Sequence, residues 1–259
     1  MEIIKGSIYD WPKYYEFIYG SDWQAECDFL RDCFGFHADG EVQRLFEPAC
    51  GTGRLIYRLA KRGFEVGGVD LNPEAIGYCQ ERFKKADLQA DVFVGDMCDF
   101  ASPTPWDAAF NTINSFRHLL SDELAIRHLR CVAQCLRPGG IYVLGLHLTP
   151  TACDPQENET WSHRRGHLQV NASMWLVSRD SPNRSETFAL AFDVFTPSRQ
   201  FRIQDEFQFR TYTVSQFESL LQEVPEFTLA ETYDFAYDSP IELDDSTEDV
   251  VFILKRASV

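Results

Sequence analysis

Short apolar runs alternate with helical patterns over residues 42–148. The apolar runs predict strands near 42–47, 64–69, 91–95, 107–112 and 140–148. Apolar positions at helical spacing predict helices between them, near 53–62, 73–85 and 121–136. Regular alternation of strand and helix is typical of a parallel sheet with helices on both faces.

The pattern changes after Pro150. Residues 151–166 are polar and predict a loop, whereas 167–211 contain alternating apolar runs separated by turn sequences at 181–184 and 196–199. This pattern predicts an antiparallel sheet inserted before a helix at about 214–223. Two further apolar runs, 227–233 and 250–254, predict two more strands.

The predicted fold class is therefore α/β: a doubly wound, mostly parallel sheet with a small inserted antiparallel β-sheet. We expect four segments: a helical arm (1–40), a core (41–150), the inserted sheet with the loop before it (151–212) and the completion of the core sheet (213–259). Within the arm, a helix is expected from Trp23 to Cys33, with Asp22 as its candidate N-cap.

The turn after the first core strand is the most informative stretch. An apolar strand ends at Glu47, turns through small residues and opens a helix at Gly53. Small residues let the backbone approach a ligand, and the free N–H groups of a helix start favour polar ligand atoms. Asp70 ends the next strand, where an acid can bind both hydroxyls of a ribose. The pattern predicts a nucleoside-containing cofactor.

Two nucleotide-binding motifs are excluded here. Ile56 stands where a dinucleotide fingerprint needs its third glycine, and Arg54-Leu55 replaces the Lys-Ser/Thr of a P-loop. The remaining pattern, an acid and a small-residue loop ending in Gly-x-Gly, resembles motif I of the class I S-adenosylmethionine-dependent methyltransferases. Residues 69–73, 91–97 and 136–144 resemble later motifs of the same family.

The resemblance implies S-adenosyl-L-methionine as cofactor and S-adenosyl-L-homocysteine as product. It also implies a Rossmann-like fold in which 227–233 and 250–254 form an antiparallel final strand pair. In that fold residues 1–40 would cap the site, 41–150 would form the cofactor-binding core and 151–212 an inserted antiparallel β-sheet lid.

The resemblance further implies that Glu47 and the glycine loop flank the amino-acid end, Asp70 the ribose and Asp96 the adenine amino group. Ala49 occupies the position of the family's first glycine. Leu71 and Met97 are expected beside the adenine ring. The full set of expected cofactor-binding residues is Glu47, Ala49, Gly51, Gly53, Arg54, Asp70, Leu71, Asp96, Met97 and Asn111.

The sequence says less about the methyl acceptor than about the cofactor. The arm resembles that of small-molecule methyltransferases, in which tyrosines close over cofactor and substrate; core packing is the alternative. His147 ends the fifth strand as a candidate general base. His118 is a candidate for orienting the substrate, and its alternative is a capping or core histidine. Arg210 is a candidate for binding a substrate carboxylate, and its alternative is an ion pair with nearby acids. The catalytic candidates are Tyr19, His118 and His147, and the substrate-binding candidates are Tyr15, Trp23 and Arg210.

Composition narrows the function further. A net charge of −16 argues against nucleic-acid partners. No signal peptide or membrane span is indicated, metal-ligand spacing is lacking, and the eight cysteines are expected to be reduced thiols of a cytoplasmic protein. The hypothesis is methyl transfer to nitrogen or oxygen of a small molecule, with nitrogen favoured. A protein methyltransferase and a non-catalytic cofactor-binding module are the alternatives; the oligomeric state is not indicated.

Overall fold

A computed structural model describes residues 1–21 and 23–258, so Asp22, the candidate N-cap, lies outside the described residues. The strands, in chain order, are β1 (Glu2–Lys5), β2 (Arg44–Pro48), β3 (Glu65–Asp70), β4 (Asp91–Val94), β5 (Trp106–Asn111), β6 (Leu136–His147), β7 (Asn158–Arg165), β8 (Leu168–Asp180), β9 (Ser185–Phe195), β10 (Gln200–Arg210), β11 (Phe227–Tyr233) and β12 (Asp249–Arg256). The helices are α1 (Pro12–Tyr19), α2 (Gln24–His37), α3 (Ile56–Ala60), α4 (Pro73–Lys85), α5 (Asp122–Cys135) and α6 (Val214–Gln222).

The main sheet has seven strands in the order β11-β12-β6-β5-β2-β3-β4. Strands β2 to β6 run parallel, whereas β12 pairs antiparallel with both β6 and β11. The predicted fold class, a mostly parallel sheet closed by an antiparallel pair, is confirmed. The carboxyl ends of β2, β3, β5 and β6 share one edge, which is where open α/β sheets bind ligands.

Two of the predicted helices begin at a side-chain cap. Asn72 accepts a hydrogen bond from the Ala75 N–H at the start of α4, and Pro73 occupies its first turn. Ser121 caps α5 in the same way by accepting from the Leu124 N–H. The helix predicted at 53–62 is shorter, 56–60, because Gly53 has a φ of +70°, which is incompatible with a right-handed helix.

The second sheet has five strands in the order β1-β10-β9-β8-β7. Four of them are antiparallel, as predicted, but β1 joins the edge parallel to β10. Residues 158–165, predicted as loop, form β7, in which half-buried side chains alternate with exposed ones. The arm packs on this sheet: Ile8 and Ile18 join a buried cluster with Phe192 and Ile203.

Candidate functional site

The loop after β2 owes its path to left-handed residues. Ala49, Gly51 and Gly53 have φ of +55°, +52° and +70°. A Cβ on Gly53 would collide with Cys79 Sγ, so that glycine serves the packing of the loop on α4. A Cβ on Gly51 would meet only Asp70 Oδ2, at 3.9 Å. Gly51 therefore leaves open space beside the Asp70 carboxylate.

The Asp70 carboxylate is held at the end of β3 by two backbone donors. The N–H groups of Gly51 and Asn72 each donate to it at 2.8 Å. Burial raises the pKa of Asp70, and these two hydrogen bonds oppose that shift. The carboxylate is thus fixed in direction at the open edge of the sheet, as a ribose-binding acid must be.

Two buried acceptors at this edge lack donors. Among the described residues nothing donates to Glu47 Oε2 or Asn111 Oδ1, although Asn111 Nδ2 donates to the Pro48 carbonyl at 2.8 Å. Burial raises the pKa of Glu47 well above its ordinary value. A buried acceptor without a donor costs about 1–3 kcal/mol. A ligand with N–H donors, such as the amino-acid end of S-adenosylmethionine, fits this pair.

The predicted adenine-side residues lie at the end of β4. Asp96 Oδ1 accepts from the Cys98 N–H at 2.8 Å. The Met97 side chain is buried, and Leu71 remains 69% exposed. Their contacts with adenine stay predictions.

Arg54 has a protein partner that the sequence did not indicate. Its guanidinium forms a buried, bidentate ion pair with Glu26 of α2, at 2.6 and 2.7 Å. Thr112 Oγ1 also donates to Glu26. Arg54 therefore joins α2 to the glycine loop, and direct contact with the cofactor stays a prediction.

A row of arm tyrosines lies beside the glycine loop. The rings of Tyr9 and Tyr15 are 5.6 Å apart, and those of Tyr15 and Tyr19 are 4.6 Å apart. Burial raises the pKa of Tyr15 to about 12, with smaller effects from nearby Arg54 and Asp70. Tyr9 was missed because it lies in a short 3-10 turn (Ile8–Asp10), where no periodic pattern marks a buried side chain.

The two histidine candidates lie in different surroundings. A hydrogen bond of 3.1 Å joins His118 Nε2 to the Tyr9 hydroxyl, and burial lowers the pKa of His118 to about 4. His147 Nδ1 lies 2.5 Å from Asp249 Oδ1, on the adjacent strand. Asn114 Oδ1 accepts from the His147 N–H at 2.8 Å and so fixes the end of β6.

Two further candidates have other partners. The Trp23 ring lies under the guanidinium groups of Arg58, at 4.7 Å, and Arg62, at 5.5 Å. Arg210 pairs with Asp122 at 3.0 Å, which is the alternative given for it above. The Arg210 guanidinium pairs with Asp122 and donates to the Leu120 carbonyl, and no hydrogen bond among the described residues joins it to His118 or His147.

A pocket lies between the carboxyl ends of β5 and β6 and the inner face of the second sheet. It is lined by apolar side chains from β8, β9 and β10, by His147, and by four acids; the principal lining residues are Asn114, Arg117, His147, Glu157, Glu159, Met174, Glu186, Phe188, Phe209 and Glu248. Phe209 also contacts the His118 ring, with centroids 4.8 Å apart. The pocket therefore adjoins both histidines.

The mostly parallel sheet, the glycine loop and the acid at the end of β3 are the features by which the chain resembles the class I S-adenosylmethionine-dependent methyltransferases. Residues 46–140 match the family described as "Methyltransferase domain". The Bacillus subtilis (strain 168) protein YqeM, which carries the name of a methyltransferase, is 25% identical over 186 residues, 70% of this chain and 72% of that protein.

Solved structures share the fold over nearly the whole chain. An S-adenosylmethionine-dependent methyltransferase from Clostridium acetobutylicum ATCC 824 superposes with a TM-score of 0.78, at 17% identity, covering 95% of this chain and 98% of that one. The sugar N-methyltransferase KedS8 from Streptoalloteichus sp ATCC 53650 gives 0.74 at 16% identity, covering 97% and 94%. No helix within residues 1–21 and 23–258 is long and apolar enough to cross a membrane.

Proposed function

We propose that the chain transfers a methyl group from S-adenosylmethionine to a small molecule held between the two sheets, with an amine nitrogen as the favoured acceptor. The cofactor supplies the electrophilic methyl group, and the protein's part is to align the acceptor and exclude water. The observation that carries the proposal is the acidic pocket at the carboxyl ends of β5 and β6, on the sheet edge that also carries Glu47 and Asp70. The name of KedS8 as a sugar N-methyltransferase is consistent with such an acceptor.

The charge of the pocket favours a cationic or amine acceptor. Glu186 is neutralised by Arg117 at 2.6 Å and by Arg179 at 2.8 Å, and Glu157 by Arg179 at 3.2 Å. Glu159 is half-buried, and no described residue forms an ion pair or hydrogen bond with its carboxylate. A half-buried carboxylate without a partner attracts a positively charged nitrogen.

Roles for this chain's residues follow from the geometry. Glu47 and Asn111 would accept from the cofactor's amino group, and Asp70 from its ribose. The neutral His118, hydrogen-bonded to Tyr9, would orient the acceptor. His147, held by Asp249, would take up a proton from the acceptor. Tyr15 and Tyr19 would enclose the reacting atoms and exclude water.

Asp70→Ala tests the cofactor half of this proposal. Loss of its hydrogen bonds to ribose should weaken S-adenosylhomocysteine binding by about 1.5–3 kcal/mol, measured by calorimetry. Asp91→Ala, an exposed acid at the start of the neighbouring strand, is the matched control and should bind normally. Unchanged affinity in Asp70→Ala would remove Asp70 from the site.

The acceptor half needs a separate measurement. Amines and their isosteric alcohols, supplied as matched pairs with labelled S-adenosylmethionine, should give methylated product from amines preferentially. Glu159→Gln should reduce turnover of the amines by raising KM. Preferential methylation of the alcohols would overturn the nitrogen assignment and leave the cofactor assignment intact.

A further inference from the structure

A groove between α1, α4 and the β7–β8 hairpin shares no lining residue with the acceptor pocket. One face of α1 lines it with Lys13, Glu16 and Phe17, and α3 and α4 contribute Arg58, Tyr78 and Arg82. The β7–β8 hairpin closes the far side with His163 and Arg165. The groove has a volume of about 490 Å³, within the range of small-molecule sites.

The groove is basic although the chain carries a net charge of −16. Four of its lining side chains are Lys or Arg: Lys13, Arg58, Arg82 and Arg165. Among the described residues no carboxylate lies within ion-pair distance of Lys13, Arg58 or Arg165, and the Glu16 carboxylate is taken by Arg82 at 2.8 Å. Three cations along one groove that have no carboxylate partner within residues 1–21 and 23–258 favour a multivalent anion.

Aromatic side chains line the same groove. Phe17 and Trp23 already have partners, in His163 at 4.8 Å and Arg58 at 4.7 Å. Tyr78 is half-buried, and no other ring or cation among the described residues packs on its face. A free ring face beside unpaired cations suits a ligand that combines a planar ring with phosphates.

A second groove, of about 540 Å³, continues from the first and shares Tyr78 and Arg82 with it. It adds Lys61, Lys85, Glu81 and the ring of Tyr57, which lies 4.1 Å from the Arg82 guanidinium. Because Lys85 pairs with Glu81 at 3.8 Å, Lys61 is the cation that this groove adds without a carboxylate partner among the described residues.

We infer that the groove between α1, α4 and the β7–β8 hairpin binds a nucleotide, with the phosphates on Lys13, Arg58 and Arg165 and the base on Tyr78. Its concave shape and size favour a small molecule over an anionic macromolecule or membrane. The inference concerns a surface outside the cofactor and acceptor pockets and does not depend on the identity of the acceptor.

The test is calorimetric titration of the full chain with uridine diphosphate, pyrophosphate and uridine. The cofactor site is first saturated with S-adenosylhomocysteine, so that nucleotide cannot bind there. Lys13→Glu and Arg165→Glu change exposed residues and should each weaken uridine diphosphate binding about tenfold. Lys5→Glu, an exposed cation on β1 outside the groove, is the matched control and should change nothing.

Tighter binding of uridine diphosphate than of pyrophosphate or uridine, lost in the two groove variants, supports the inference. Equal affinity for pyrophosphate would overturn the part assigned to Tyr78. Absence of binding to the unaltered protein, or binding insensitive to Lys13→Glu and Arg165→Glu, would overturn the site. Failure of S-adenosylhomocysteine to bind would count against the cofactor assignment and not against the groove. The groove is then tested by the same titrations of the unliganded protein and of its two groove variants.

Discussion

At the scale of single residues, Ala49 stands where the family pattern has its first glycine. Its left-handed backbone conformation explains why glycine is usual at that position. Its φ of +55° is left-handed, which costs an alanine about 1–2 kcal/mol. A glycine there avoids the cost but loses more entropy on folding, about 0.5–1 kcal/mol. Ala49→Gly should therefore stabilise the protein by about 0.5–1 kcal/mol in urea unfolding.

The matched control for that substitution is Ala86→Gly. Ala86 ends α4 with a φ of −97°, which alanine adopts without strain. The same exchange should destabilise the protein there, because only the entropic term remains. Destabilisation by Ala49→Gly of the same size would show that the loop does not strain residue 49.

A buried histidine predicts how stability depends on pH. His128 donates from Nδ1 to the Met97 carbonyl and accepts the Tyr142 hydroxyl proton on Nε2, both at 2.9 Å. Burial lowers its pKa to about 4. The unfolded chain therefore takes up the proton first, so the free energy of unfolding falls as pH drops from about 6.5 to about 4, on the order of 3 kcal/mol.

Urea unfolding at several pH values checks this linkage. His128→Gln should make the slope between pH 6.5 and 4 shallower by up to one proton, whatever its effect at neutral pH. His167→Gln, at an exposed position, should leave the slope unchanged. A slope unaltered in His128→Gln would mean that other groups carry the acid sensitivity.

The path of the glycine loop and the acids at the ends of β2 and β3 were predictable because they follow local sequence signals. Glu47, Gly51 and Asp70 were singled out from the ends of apolar runs and from turn composition, and their contacts with the cofactor stay predictions. The Glu26 partner of Arg54 was not, because the two residues lie 28 positions apart and only the folded chain brings them together. Tyr9 was missed for a similar reason, since its partner His118 is 109 positions away.

At the scale of elements, the Glu16 side chain joins α1 to the glycine loop and to α4. Glu16 accepts from Thr52 Oγ1 and from Arg82, both at 2.8 Å and largely shielded from solvent. These bonds hold the helix that carries Tyr15 and Tyr19 against the glycine loop. We expect Glu16→Gln to weaken S-adenosylhomocysteine binding about fivefold and to speed amide exchange in residues 12–19.

Glu2→Gln is the control for the arm. Glu2 also pairs with an arginine at 2.8 Å, Arg199, but both side chains are more than half exposed. Cofactor affinity and exchange in residues 12–19 should be unchanged in this variant. Normal affinity in Glu16→Gln, with faster exchange, would separate arm docking from cofactor binding.

The elements that the sequence missed are those with weak local patterns. β1 has only four residues, three of them exposed, and it exists because β10, almost 200 residues away, offers an edge. β7 is polar on its outer face, and its inner face packs Trp161 against Tyr19, at 5.5 Å. Strong apolar runs with cap residues, such as those of α4 and β6, were found because their patterns are local.

At the scale of the whole molecule, the net charge of −16 means that carboxylates repel one another, and surface ion pairs oppose this repulsion. Raising NaCl from 10 to 100 mM shortens the screening length from about 30 to about 10 Å. Repulsion among distant carboxylates should weaken most, because pairs at contact distance are screened less. We expect a gain on the order of 1 kcal/mol at pH 7, which raises Tm by about 2–4 °C.

The control for this salt effect is the same titration near pH 4.7, the isoelectric point calculated from the sequence. Net repulsion vanishes there, so the gain should disappear, whereas a general effect of salt on hydrophobic burial would persist at both pH values. A fall in Tm with salt at pH 7 would instead mean that ion pairs such as Arg54–Glu26 and Arg82–Glu16 dominate the electrostatic stability. Arg54–Glu26 links α2 to the glycine loop, and Arg82–Glu16 links α1 to α4. The main electrostatic contribution to stability would then come from the ion pairs that hold α1 and α2 in place.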